Sequence, residues 1–157
     1  DKYGKRDVFS AALFISTLFI AAFYFFNPKN LSYMFLSQVM HGFFYGLTIP
    51  LLWAMIADVA DYSEWRNNRR ATAIIFSAMM VGLKGGLSIG GALVASILGY
   101  YGYEPGIEQT TDTLSGIKML ISLYPSVPFL FCVLLLFFYE IDKKMESKIE
   151  MDLKSKR

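Results

Sequence analysis

Residues 51–91, LLWAMIADVADYSEWRNNRRATAIIFSAMMVGLKGGLSIGG, constrain the fold more than any other part of the chain. Two long apolar segments flank a dense charged knot, Asp58, Asp61, Tyr62, Glu64, Arg66, Arg69 and Arg70, and one lysine, Lys84, lies deep in the second segment. A soluble helical domain spreads its charges over every exposed face. A bilayer instead drives them into loops and leaves a charge inside a span only where pairing or function retains it. Composition agrees, with 55% of residues hydrophobic and 18% charged, against about 25% charged in an ordinary soluble domain. The chain is therefore expected to be an integral membrane protein. Its net charge of +2 is small and its basic residues gather in loops, so nucleic-acid binding gains no support. Cys132 is the only cysteine, which excludes an internal disulfide and a cysteine-built metal site; within its apolar segment it reads as a small buried hydrophobe.

A helix that crosses the hydrocarbon core needs ~20 mostly apolar residues, and four stretches qualify: about 8–26, 31–60, 71–98 and 117–139. The expected architecture is all-α, a four-helix transmembrane bundle over 8–139, with a loop at 1–7 and a charged tail at 140–157. The breaker Asn27-Pro28-Lys29-Asn30 closes the first span, and residues 99–116 read as a polar loop. Pro50 should bend the second helix, and Pro125 and Pro128 the fourth. Lys2, Lys5 and Arg6, then Arg66, Arg69 and Arg70, then the lysines of 143–157 fall on one side; Lys29 and Lys118 fall on the other. The positive-inside bias puts both termini in the cytoplasm. In the tail, acids interleave with lysines, which favours a solvated helix over a lipid-binding one. The chain opens at Asp1 inside a charged loop and reads as a fragment of a longer protein.

Two polar stripes cross the spans. Ser77 and Ser88, seven residues before and four after Lys84, fall on the same stripe of the third helix, which should face the bundle interior or a wet cavity. Lys84 is either a pathway residue or a side chain that snorkels along its own stem, although it stands about 14 residues from either end of its helix. Around it, Gly82, Gly85, Gly86, Gly90, Gly91, Ala92 and Ala95 form small-residue ridges, suited to static packing or to a sliding seam. Gln38, His41, Tyr45 and Thr48 make the second stripe; His41 is a proton site or a hydrogen-bonded packing residue. Trp53 and Phe44 could stack on a sugar ring, while Trp53 also suits an aromatic belt. Asp58 and Asp61 lie near a helix C-terminus, where negative charge is disfavoured, so Arg66, Arg69 or Arg70 are their expected partners, either in a gate that breaks and forms or in a plain solvated loop. No His or Cys cluster, nucleophile elbow or phosphate loop is present, so an enzyme is not expected.

The string Ala57-Asp58-Val59-Ala60-Asp61-Tyr62-Ser63-Glu64, a base at Arg66, and Lys84-Gly85-Gly86 downstream resemble the glycoside-pentoside-hexuronide:cation symporters of the major facilitator superfamily. Asp1-Lys2-Tyr3-Gly4-Lys5-Arg6 is similar to the tail of the superfamily's cytoplasmic loop motif. The resemblance implies the last four helices of a twelve-helix transporter in a bacterial cytoplasmic (inner) membrane, carrying a glycoside, pentoside or uronide with Na⁺ or H⁺ by alternating access. Lys84 matches the family's intramembrane lysine, which would hydrogen-bond sugar or pair with a carboxylate of the other half; Ser77, Ser88, Tyr45, Gln38 and Trp53 join it as candidates. The partners implied are the sugar, the lipid bilayer and the amino-terminal half, which would hold the coupling-ion site; no cofactor is implied. The rival reading is a self-contained four-span assembly subunit that transports nothing.

Overall fold

A computed structural model describes residues 3–27 and 29–156 of the chain. Asp1 and Lys2 of the loop motif, Pro28 of the breaker and Arg157 of the tail lie outside the described residues. The described elements are α1 (Lys5–Ala22), continued by a 3₁₀ turn at Phe23–Phe25, α2 (Leu31–Asn67), α3 (Thr72–Tyr100), α4 (Thr111–Ile121), α5 (Leu123–Leu136) and α6 (Lys143–Lys156). Lys5–Phe25, α2, α3 and Thr111–Leu136 are each long and apolar enough to cross a membrane. Consecutive spans run antiparallel. At one end Lys5 of α1 meets Asp58 near the end of α2, and at the other Lys118 of α4 donates to Phe26 O at 3.2 Å.

Helix α2 has 37 residues, about 55 Å at 1.5 Å per residue, so it extends well beyond a hydrocarbon core of about 30 Å. It does not stop near residue 60 but runs on to Asn67, where Asn68 takes a left-handed conformation at φ 52° and ends the helix. Asparagine tolerates that region better than most residues. Pro50 sits inside α2, which runs on as one helix.

Two differences from the sequence reading concern the fourth span. Its first helix starts at Thr111, inside the stretch expected to be loop, because Thr110 accepts the Thr113 N–H at 3.2 Å and caps the first turn. The span is also not one helix from 117 to 139. It breaks at Ser122, three residues before Pro125, because the proline offers no N–H to the Ile121 carbonyl one turn earlier and its ring crowds that carbonyl. The hydroxyls of Ser122 and Ser126, both buried, donate to Lys118 O at 2.5 Å and Ser122 O at 2.6 Å, so side chains of the same span supply part of what the backbone ladder loses.

Packing follows from the solvent. Lipid supplies no hydrophobic drive between helices, so association rests on close approach and hydrogen bonds. Ser16 and Thr17 of α1 are almost fully buried, as is Ser37 of α2, whose hydroxyl donates to Phe19 O at 2.7 Å. Helix α1 packs along α2 and α5. Helix α3 leans on α2 and α4 yet buries none of its residues, and a Cβ added at any of its glycines 82, 85, 86, 90 and 91 meets nothing within 4 Å. The small-residue ridges are therefore open within this chain. Cys132, expected to be buried, is exposed on α5 for the same reason: no described helix covers that face.

Gly116 is a different case. It is buried in α4 with the Tyr101 ring laid against it, so an added Cβ would overlap ring carbons. Gly116→Val should lower stability by about 1–3 kcal/mol, read as an earlier thermal midpoint in detergent. Adding Tyr101→Ala should recover part of the loss; a lone Gly116→Val as stable as the parent would show that the ring swings away freely.

The tail is not a solvated helix. Asp142 accepts the Met145 N–H at 2.8 Å and so starts α6. Ile149 and Leu153 of α6 are buried with Ile141 against Val59, Tyr62, Trp65, Tyr139 and Met145. Sequence spacing hides this because the lysines dominate the composition of the segment, while the two apolar residues lie four apart on one face.

Candidate functional site: an ion-pair cluster and two polar stripes

The charged knot closes only partly as expected: Asp61 takes an arginine of the α2–α3 loop, whereas Asp58 does not. The Lys5 ammonium donates to both oxygens of Asp58 at 2.7 and 2.8 Å and lies 2.8 Å from a Glu146 oxygen, joining the first turn of α1, the end of α2 and the start of α6. Asp58 was expected to pair with an arginine of the α2–α3 loop; instead the antiparallel packing of α1 on α2 brings a lysine 53 positions away. Asp61 takes Arg70 at 2.9 Å, and Glu64 lies 3.7 Å from the same guanidinium. Arg66 donates to the Tyr62 hydroxyl at 2.6 Å, and Arg69 contributes its carbonyl to the Ser63 hydroxyl at 3.2 Å.

Around these pairs lies a cleft of about 330 Å³, lined among others by Lys5, Asp58, Asp61, Arg70 and Glu146. Two further clamps hold it. Trp65 donates its indole N–H to Asp152 at 2.8 Å, and Arg6 donates to Tyr139 O at 3.1 Å. Tyr139, beyond the end of α5, donates its hydroxyl to Met55 O at 3.3 Å; burial above all, then the charges of Asp58 and Glu146, pushes its phenol up to about 12 and keeps it a donor. Lys5, Glu146, Trp65 and Asp152 escaped the sequence reading as parts of this cluster. In the sequence Lys5 marks orientation and belongs to the loop motif, and the one available signal for this cluster is the spacing of Glu146, Ile149 and Leu153, three and four apart on a single helix face.

The first stripe does not face the interior of this bundle. Ser77, Lys84 and Ser88 are exposed, and the Lys84 ammonium has no ion-pair partner among the described residues. No described helix lies across that side of α3, so of the two expected surroundings, bundle interior or wet cavity, the first is not met within this chain. The second stripe is divided between packing and exposure. His41 Nδ1 lies 2.9 Å from the Ser16 hydroxyl of α1, and the ring stacks on Tyr45 and Phe129 at 5.8 and 6.5 Å. Thr48 is buried and donates to Tyr45 O at 2.7 Å. Gln38 is exposed beside an apolar groove that includes Phe23, Met34 and Ile121. Trp53 stacks on Phe76 of α3 at 6.2 Å, and Phe44 on Phe19 at 6.1 Å, so each ring already has an aromatic neighbour inside the chain.

Four apolar spans bound at one end by charged side chains, with a lysine halfway along one of them, define a multi-pass helical membrane protein. The chain belongs to the MFS/sugar transport protein family, whose model matches residues 1–143. It is 34% identical over 121 residues to the putative glycoside/cation symporter YagG of Escherichia coli (strain K12), covering 76% of this chain and 26% of that protein. It is 37% identical over 111 residues to the isoprimeverose transporter of Lactiplantibacillus pentosus, covering 71% and 23%. An uncharacterized 29.9 kDa protein of Pseudescherichia vulneris is 32% identical over 151 residues, covering 95% and 55%. The chain thus spans roughly a quarter to a half of the length of these relatives. The family is one of transporters and symporters, not of enzymes, and the glycoside-pentoside-hexuronide:cation symporter resemblance carried by Asp58–Glu64 and Lys84 holds.

Proposed function

We propose that the chain forms part of the carboxy-terminal half of a secondary transporter that moves a glycoside, pentoside or uronide together with Na⁺ or H⁺ by alternating access. The observation that carries this reading is Lys84, an exposed lysine midway along α3 in a chain of this family. A charge at that depth is costly in lipid. It is accounted for if the stripe Ser77, Lys84 and Ser88 faces a wet cavity shared with helices outside this chain, where Lys84 hydrogen-bonds sugar or pairs with a carboxylate. Gln38, Tyr45 and Trp53 are the further candidates for sugar contact; of the three, Trp53 has one ring face taken by Phe76. The coupling ion needs no ligand from this chain in this reading.

The cluster of Asp58, Asp61, Tyr62, Glu64, Arg66, Arg69 and Arg70, now with Lys5 and Glu146, acts as the gate. Both ends of the described chain meet at that cluster, and the Lys and Arg bias of the sequence assigns it to the cytoplasmic face of a bacterial inner membrane. Ion pairs with a third or less of their surface exposed can open and reform as helices tilt, which suits a barrier that alternates.

Sugar uptake into vesicles that hold the full-length transporter tests the reading. Labelled glycosides, pentosides and uronides are offered under an imposed Na⁺ or proton gradient. Accumulation above equilibrium, abolished by an ionophore for the coupling ion, is expected. Equilibration alone with every sugar and both gradients would overturn symport.

A further inference from the structure

A reciprocal contact between Ser16 of α1 and His41 of α2 fixes which ring nitrogen of the histidine carries its hydrogen. His41 Nδ1 lies 3.1 Å from the Ser16 carbonyl oxygen and 2.9 Å from the Ser16 hydroxyl oxygen. A carbonyl can only accept, so the hydrogen sits on Nδ1. The Ser16 hydroxyl is then free to donate its own hydrogen to His41 O, at 3.3 Å. Turning the ring over would set a carbon against the Ser16 carbonyl and lose the contact. A neutral imidazole carries one ring hydrogen, so Nε2 is left as a bare acceptor. It takes no hydrogen bond from the described residues. Every enclosed side-chain nitrogen and oxygen among the described residues has a partner, so the unpartnered Nε2 of the half-buried His41 opens onto the surface of this bundle.

The rings of His41, Tyr45 and Phe129 lie within 24° of parallel, with centroids 5.8 to 6.5 Å apart. Stacking of this kind covers ring faces, whereas the Nε2 lone pair lies in the ring plane and stays open. Its depth matters. Ser16 stands eight residues beyond Val8, where the apolar run of α1 begins, and so about 12 Å into a hydrocarbon core of about 30 Å. A bare acceptor there is costly to leave against hydrocarbon. Gln38 and Tyr45, three residues before and four after His41 on the same face of α2, add an amide and a phenol. Both residues are exposed, and neither side chain makes a hydrogen bond to the described residues. Fixed polar atoms beside flat apolar rings suit a ligand with hydroxyls on its rim and C–H groups on its faces, which is the chemistry of a sugar ring.

Resting on the sugar-transport reading above, we propose that His41 Nε2 accepts a hydrogen bond from one hydroxyl of the carried sugar, and that the contact with Ser16 keeps that nitrogen bare. A fixed acceptor selects for a donor at one position of the sugar ring. A sugar that lacks that hydroxyl, or carries fluorine in its place, leaves Nε2 unpaired and binds less well.

The test measures equilibrium binding of labelled methyl α-galactoside, methyl β-xyloside and methyl β-glucuronide to the full-length transporter, then of the monodeoxy and monodeoxyfluoro analogues of the best bound. In the parent, loss of one particular hydroxyl should weaken binding about three- to tenfold, and fluorine at that position should do the same. His41→Asn keeps an amide N–H in reach of the Ser16 carbonyl but has no atom at the place of Nε2. It should bind the intact sugar weaker by that same factor and no longer distinguish it from the deoxy analogue, with its thermal midpoint in detergent close to the parent's. His41→Gln, whose amide oxygen reaches further, should recover part of the discrimination. A reading that does not depend on the folding of His41→Asn is the Nε2 ¹⁵N resonance of the parent, assigned against His41→Gln, which should move with the sugar and not with the deoxy analogue. Discrimination retained in His41→Asn, or an Nε2 resonance indifferent to sugar, overturns the proposal and leaves His41 a packing residue. A fluoro analogue bound as tightly as the sugar overturns it too, since Nε2 would then be donating. A parent that binds none of the three glycosides removes the sugar reading itself and the proposal with it.

Discussion

Lys84→Ala in the full-length transporter should abolish concentrative sugar uptake while leaving the protein inserted and folded. The two parts of this expectation have separate physical grounds. A lysine at mid-span disfavours insertion by about 2.5–3.5 kcal/mol on translocon scales, and Lys84 makes no ion pair among the described residues. Its removal should therefore ease insertion rather than hinder it. Loss of transport then cannot be assigned to loss of fold. Lys84→Arg keeps the charge but replaces a compact ammonium with a planar fork, so partial uptake is expected if Lys84 pairs with a carboxylate, and little if it bonds sugar hydroxyls in a fixed geometry. Uptake ratios are measured under a maintained gradient beside surface expression. Wild-type accumulation in Lys84→Ala would remove the lysine from the mechanism.

Asp58→Arg should impair transport by another route. Asp58 is the more buried partner, with 16% of its side chain exposed, and its replacement sets a guanidinium against the Lys5 ammonium. A fully buried pair deprived of one member loses about 3–5 kcal/mol. Here Lys5 and Glu146 each keep about a third of their side-chain surface in solvent, which reduces the expected effect to about 1–2 kcal/mol. That is enough to free α6 for part of the time. Trypsin should then cut after Lys143 and Lys144 several-fold faster than in the parent, with uptake reduced and insertion retained. The milder Asp58→Asn should fall between the two. Unaltered uptake together with fast cleavage would show that the cluster anchors the tail without gating the pathway.

Glu146→Gln in the same assays separates the two halves of the cluster, because it removes the α6 contact and leaves Lys5 on Asp58.

How far the chain could be read from its sequence depends on the range of the interactions involved. The four spans, the all-α class and the family were legible because a bilayer imposes a local rule: about 20 apolar residues in succession, with charges expelled to the ends. Lys84 stood out for the same reason, as a local violation of that rule. Tertiary structure decided whatever joins residues far apart. The partner of Asp58 is Lys5 rather than a nearby arginine because α1 and α2 pack antiparallel. The break at Ser122 follows from where the Pro125 ring meets the preceding turn, a local effect that the sequence reading placed at the prolines themselves. Gly116 looked like a loop glycine until the Tyr101 ring was found against it. The tail shows mixed charge along the chain, and only its docking on Val59, Tyr62 and Trp65 turns Glu146 and Asp152 inward. Composition along a segment sets which medium it prefers; which face meets which neighbour is a property of the packed helices, because a side chain's direction has meaning only once another element lies beside it.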